Sequence, residues 1–242
     1  MILQINLYNV KILFHNLDSV KIVEYDFGVA EKQYHHGDLR NSLIQAGMEI
    51  LAQEGGGALS LRKVASRAGV SHAAPYAHFT DRQELIAAIS TEGFRQLYDR
   101  IDAVVEANPN DLANRLIEVA WAYVQFAIEN SSLFKIMFSG ILEKEDKYPE
   151  FVNISHKNFL QLVYMVQECQ QAGLLRPGPA DVLALSVWSL VHGFVSLLLE
   201  KQISHTILNG TSFKELLCQT LNQITLIKLT PQVEKPSTLL HA

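Results

Sequence analysis

"GVSHAAPYAHFTDRQEL" occupies Gly69 to Leu85, and its reading decides the fold. Gly69 is a helix stop, because glycine adopts the left-handed backbone that closes a helix without steric cost. Ser71 offers a capping oxygen to a new helix, and Pro75 is tolerated only in or near that helix's first turn. Thr80 or Asp81 then starts another helix, with Gln83 and Glu84 placed for a capping box. Between the stop and the second start stand Ala73, Ala74 and Ala77. The spacing therefore predicts a very short helix over "SHAAPYAHF" with almost no bulk outside and with Val70 and Phe79 as anchors.

Working outward, "SLRKVASRAG" has Ser60 as N-cap and places Leu61, Val64, Ala65 and Ala68 on one face. Arg62, Lys63 and Arg67 are left outside. Upstream, "DLRNSLIQAGMEILAQEGGG" repeats Leu39, Leu43, Ile44, Ile50 and Leu51 at three- and four-residue steps until three glycines end it. Downstream, Leu85, Ile89, Leu97, Ile101 and Val104 continue a long helix over 81–106, which stops before "ANPND". Four helices with a tight Gly-Val-Ser turn between the second and third describe a helix-turn-helix. A helix entering a DNA major groove needs small residues that let the backbone approach the bases, and polar ones that reach base edges and phosphates.

Charge supports the same placement. The 242-residue chain has a formal net charge of −5, so no global basic excess advertises nucleic acid. Ser60 to Arg82 nevertheless carries four bases against one acid, whereas Ile101 onward holds ten bases against fourteen acids. A hydrophobic content of 48% is ample for a buried core. Beyond Pro109 the pattern predicts long apolar helices at 111–130, 132–138, 148–172, 179–200 and 212–229, and no strand alternation follows residue 34. The expected fold class is all-α: an N-terminal helix-turn-helix head of three helices over 34–82, and a helical ligand-binding and dimerisation body over 83–230. The tail over 231–242 reads as loose.

At these residues the chain resembles the TetR family of bacterial transcriptional regulators. "LSLRKVASRAGVS", "PYAHF" and "TDRQEL" carry the likeness, which covers about Gly37 to Tyr98. The resemblance implies a homodimer whose heads bind a pseudo-palindromic operator in double-stranded DNA, and whose body takes a small-molecule effector. It also implies base reading by Ser71, His72, Ala73 and Ala74, phosphate contacts from Tyr76, His78 and Arg82, and a weaker contact from Lys63. Pro75 stands where the family has an aliphatic residue and Ala77 where an aromatic often stands. "VWSLVHGFVSLLLE" is similar to the Trp-x-x-x-His-Gly signature of a family subset. Trp188 and His192 would share a helix face, either as effector-pocket walls or as core packing. Trp121, Tyr123 and Phe126 cluster on one predicted helix, as core aromatics do, and could also wall a pocket; Trp121 and Phe126 join Trp188 and His192 as the named pocket candidates.

Other chemistry finds little support. Cys169 and Cys218 lack metal-ligand spacing and form no disulfide framework, His35 and His36 have no second ligand pair, and hydrolase elbows, Walker loops and dinucleotide glycine motifs are absent. Neither cofactor nor metal is expected, no enzymatic activity is expected, and a reducing cytoplasm is the expected location. Val182 to Leu199 approaches the length of a membrane span, but its three serines, His192 and Gly193 favour a bundle helix, so no membrane partner is expected. Residues 1–33 lie outside the resemblance. They are rich in β-branched and aromatic residues with no sheet to join, which suggests an N-terminal extension, translated from a start placed too early or ordering on DNA or a partner. The rival to a DNA-binding repressor is an apolar small-molecule binding protein of the same fold without DNA function, and salt-dependent DNA binding separates the two.

Overall fold

The structure, a computed structural model, describes residues 5–7, 10–12, 37–142, 145–208 and 210–231. Strands β1 (Ile5–Leu7) and β2 (Val10–Ile12) pair as an antiparallel hairpin with Ile5 opposite Ile12 and Leu7 opposite Val10. The β-rich composition of this segment is thus met by local pairing. Its other residues, and His35 and His36, lie outside the described residues, as does the tail from 232.

The helices are α1 (Gly37–Glu54), α2 (Leu61–Arg67), α3 (Arg82–Ala107), α4 (Leu112–Glu129), α5 (Ser131–Met137), α6 (Pro149–Gln171), α7 (Ala180–Leu199), α8 (His205–Leu208) and α9 (Phe213–Leu221). Among the described residues the chain is all-α apart from the short hairpin and an isolated bridge between Leu175 and Thr225. One compact unit runs up to Phe94 and includes Ser132–Val152; the other takes Arg95–Ser131 and the chain from Asn153.

In the first unit, Leu43, Ile50 and Leu51 of α1 are fully buried with Val64 and Ala65 of α2 and Leu85, Ile86 and Ile89 of α3. This core contains the apolar residues that the helical spacing had grouped. Farther along α3, Phe94 packs edge-on against Phe138 and Phe151, with ring centroids 5.2 and 5.7 Å away. Gly93 sits where a Cβ would lie 2.5 Å from the Met137 sulfur, so that face of α3 has no room for a side chain.

In the second unit, α4, α7 and α9 pack on one another. Asp111 caps α4 by accepting from the Asn114 amide at 2.9 Å, and Ser212 with Glu215 forms a full capping box at α9. Helix α9 ends at Leu221, well short of the predicted 229. Asn222 turns the chain back: its Oδ1 accepts from the Leu229 amide at 2.6 Å and its Nδ2 donates to the Leu229 carbonyl at 3.0 Å. The Leu226 amide meanwhile donates to Leu174 at 2.8 Å. Helix α7 is long and apolar enough to cross a membrane by length and composition, yet six of its side chains, Leu183 to Val195, are buried within the unit.

Candidate nucleic-acid interface

The turn between α2 and the next element is a complete C-cap motif. Gly69 has φ +70°, its amide donates to the Ser66 carbonyl at 3.3 Å, and the Val70 amide donates to the Ala65 carbonyl at 3.0 Å. These two bonds satisfy carbonyls that the helix end would leave open, and only glycine adopts that φ cheaply. At the other end of α2, Ser60 Oγ accepts from the Lys63 amide at 3.2 Å, as the capping pattern predicts.

Beyond Gly69 the expected very short helix is a single 3₁₀ turn, Ala74–Ala77. The Ala74, Tyr76 and His78 amides bond to the carbonyls of Ser71, Ala73 and Pro75, each three residues back. Pro75 has no N–H and falls in the first turn, so the tighter helix loses nothing there. Ser71 contributes its carbonyl rather than its side chain, and the N-cap position falls on Ala73. Pro75 and Phe79 are the buried anchors, Phe79 only 1% exposed; Val70 is half-buried. Proline thus fills the inward position where the family has an aliphatic residue. The Arg40 guanidinium stacks over the Phe79 ring, 5.6 Å from its centroid.

The outward face mixes small residues with two bulky polar ones, His72 and Tyr76, so the expected near-absence of bulk holds only at Ser71, Ala73 and Ala77. Ser71, His72, Ala73, Tyr76 and Ala77 are exposed, Tyr76 by 61%, while Ala74 and His78 are half-buried. His72 Nε2 lies 3.1 Å from Ser66 Oγ, which ties the end of α2 to the turn that follows. The start of α3 is fixed by Asp81, whose Oδ1 accepts from the Glu84 amide at 2.9 Å. Glu84 returns its carboxylate to the Thr80 amide and hydroxyl, at 2.7 and 2.8 Å. The capping contacts therefore run through Glu84, not Gln83, and are shared between Asp81 and Thr80.

Two of the expected phosphate contacts have partners inside the protein. Arg82 Nε donates to the Leu59 carbonyl at 2.9 Å and its Nη2 to the Gly56 carbonyl at 3.1 Å, so its guanidinium holds the loop between α1 and α2. Lys63 Nζ is ion-paired with Glu54, which also takes Arg67 Nη2 at 3.3 Å, while Arg67 Nη1 reaches Glu49 at 3.4 Å. The local basic excess is thus reduced by two acids of α1 that lie outside the Ser60–Arg82 window. Arg62 is different: it is exposed and makes no ion pair among the described residues. Sequence reading noted it without assigning it a role.

In the second unit, Trp188 and His192 are joined through Tyr123, an aromatic of the α4 cluster that is not among the four named pocket candidates. Trp188 Nε1 donates to the Tyr123 hydroxyl at 3.2 Å, and that hydroxyl lies 2.8 Å from His192 Nδ1. With the Tyr123 hydroxyl donating to His192 Nδ1, the neutral imidazole carries its proton on Nε2. Burial holds the His192 pKa below its ordinary value and pushes that of Tyr123 up, so both groups are neutral near pH 7. Phe159 packs edge-on to Trp188, 6.2 Å between centroids. Phe126 is only 2% exposed and belongs to the interior of the unit, whereas Trp121 is half-buried, two residues and about 200° around α4 from Tyr123.

The sequence between residues 43 and 89 matches the family model "Bacterial regulatory proteins, tetR family", and residues 116–220 match "Tetracyclin repressor-like, C-terminal domain". Between them the two models span more than half of the chain. It belongs to the TetR family. This TetR-family chain is 27% identical to the HTH-type transcriptional regulator YobS of Bacillus subtilis over 180 residues, 73% of this chain and 88% of YobS. It is 34% identical over 87 residues to the nicotine-responsive transcriptional repressor HdnoR of Paenarthrobacter nicotinovorans, covering 35% of this chain and 45% of HdnoR. A solved structure of a protein of unknown function from Rhodococcus sp. RHA1 aligns with a TM-score of 0.68 at 33% identity, over 80% of this chain and 96% of that one. This TetR-family chain is accordingly a DNA-binding transcriptional regulator.

Proposed function

We propose that this regulator is a cytoplasmic, one-component repressor: a homodimer that occupies a pseudo-palindromic operator and leaves it when a small apolar or aromatic molecule binds the body. The exposed face of Ser71, His72, Ala73 and Tyr76, small residues beside two polar rings, carries the DNA half of the reading. Ser71, His72, Ala73 and Ala74 read base edges, Tyr76 and His78 reach phosphates, and Arg62 takes the phosphate role for which Arg82 is poorly suited. The effector half is supported by half-buried Trp188 and His192 around the buried Tyr123 hydroxyl, an aromatic cluster with a polar centre that suits recognition of a flat ligand. Trp121 and Phe126 stand behind it in supporting roles, and the Trp188-to-Gly193 sequence supports membership of the subset named for that signature.

Release requires unequal affinity of the effector for the bound and free forms. A preference of about a hundredfold supplies roughly 2.7 kcal/mol per site, enough to empty an operator, whereas equal affinity moves nothing. The deciding experiment is selection of bound duplexes from random DNA. Enrichment of a two-half-site sequence, bound with strong salt dependence, is the expected result; recovery of unenriched sequences refutes the proposal.

A further inference from the structure

Resting on the reading of the head as a DNA-binding surface, we infer that Glu54, assisted by Glu49, is a built-in counter-ion that competes with operator phosphates for Lys63 and Arg67 and so limits the sequence-independent part of DNA affinity.

The geometry separates the α2 cations into two stripes. Arg62 and Ser66 are four residues apart and share one face, which continues to His72 through the 3.1 Å contact of Ser66 with that imidazole. Lys63 and Arg67, also four apart, share the adjacent stripe, about 100° around the helix. Both of these are turned to α1: Glu54 grips Lys63 and Arg67 together, and Glu49 adds a second carboxylate to Arg67. The first helix of a helix-turn-helix crosses the DNA backbone, so cations on its flank are within reach of phosphates when their side chains swing out. Each must first leave its carboxylate.

Glu54 is poorly explained by the stability of its own helix. It is the last residue of α1, where the carbonyl ends of the helix disfavour an anion, and no basic residue occupies that last turn. Nor are the pairs buried staples. Lys63 and Glu54 side chains are 40% and 35% exposed and Glu49 is 58% exposed, so water screens them and they open cheaply. Carboxylates that hold cations weakly, beside a surface that meets polyanion, act as a throttle: they subtract affinity without touching base recognition. A regulator that must be released by a modest effector preference gains from such a subtraction, because a lower starting affinity needs less coupling to empty the operator.

The experiment measures binding of the full-length protein to its selected operator and to a short random-sequence duplex, across a salt series, for the parent, E54Q, K63A/R67A and K63A/R67A/E54Q. E54Q is expected to bind both duplexes roughly threefold to tenfold more tightly. Its log affinity should fall more steeply with log salt, by up to about 0.9 for each cation released to a phosphate. In the K63A/R67A background, compared at reduced salt where all forms bind, the same Glu54→Gln change should shift affinity by less than about twofold. Two results overturn the inference. One is unchanged or weakened binding by E54Q, which leaves the pairs as ordinary ties between α1 and α2. The other is a gain of full size in the K63A/R67A background, which reduces Glu54 to long-range repulsion. A parent protein without salt-dependent DNA binding would instead remove the underlying reading, so the two failures are distinct.

Discussion

Replacing Arg82 by Ala tests whether this residue serves the fold or the DNA. Its guanidinium donates to the carbonyls of Gly56 and Leu59 at 3.1 and 2.9 Å, closing the loop between α1 and α2 from the first residue of α3. A hydrogen bond from a charged donor contributes about 1.5–3 kcal/mol net, and the half-buried setting places both bonds at the lower end of that range. Water can reach part of the vacated carbonyls, so the expected loss is about 2 kcal/mol rather than the full sum. For a protein of this size that lowers the melting temperature by roughly 4–8 °C. Arg82→Lys should recover at most half of the loss, because an ammonium on a flexible stem cannot span both carbonyls with the fixed fork of a guanidinium. Thermal unfolding followed by circular dichroism reads the effect, and a salt series of DNA binding provides the contrast. A phosphate contact would leave the melting temperature alone and flatten the salt slope by about 0.9 per head. An Arg82→Ala protein that melts like the parent would refute the clamp.

Tyr123→Phe removes the hydroxyl shared by Trp188 and His192, and is expected to cost about 1–2 kcal/mol in urea unfolding; an unchanged midpoint would mean that water replaces the hydroxyl without loss. Because burial lowers the folded-state pKa of His192 below 6.5, the unfolded chain binds this proton first. The stability linked to it should be fully present above pH 6.5 and lost as pH falls through the depressed value, and His192→Phe should flatten that part of the profile. In the head, His72→Ala should change which bases are selected, while Tyr76→Ala should weaken binding to all sequences alike; identical effects in a base-substitution series would contradict the division. Leu197 is 52% exposed on α7, so Leu197→Arg should convert dimers to monomers or aggregates in light scattering, and a stable dimer would put the interface elsewhere.

The head was legible because its signals act within a turn or two of the residues that emit them. Ser60 caps an amide three residues ahead, Gly69 closes bonds reaching back to Ala65, and Asp81 and Glu84 start α3 on their own. Such bonds form wherever the local sequence occurs in a helix terminus, so they can be inferred without tertiary context. The 3₁₀ geometry of Ala74–Ala77 was less accessible, since Pro75 permits either helix type and the choice falls to the burial of Pro75 and Phe79. Charge misled in an instructive way. A window from Ser60 to Arg82 counts three positive charges in excess, but Glu49 and Glu54 enter the same surface once α1 packs on α2. Linear charge windows fail wherever a neighbouring helix brings in acids from outside the window.

The body was legible as helices and much less as a site. Helix positions from α4 to α7 followed the apolar spacing, while α8 was not foreseen and α9 stops eight residues early; Trp121 and Phe126 were grouped with Trp188 and His192 on residue type, while the hydroxyl that joins the latter pair belongs to Tyr123. That bond spans 69 residues, and its companion to Trp188 spans 65, so both depend on the rotation of α4 against α7. Rotation was nonetheless partly encoded. On α4 the fully or nearly buried Val119, Ala120, Tyr123, Val124, Phe126 and Ala127 lie at three- and four-residue steps, and Trp121 falls off that stripe. A tyrosine on the buried stripe must find a partner for its hydroxyl, and a histidine and a tryptophan one turn apart on another apolar helix supply an acceptor and a donor. Satisfying buried polar atoms, rather than counting aromatic rings, was the step that would have paired Tyr123 with His192 from the sequence.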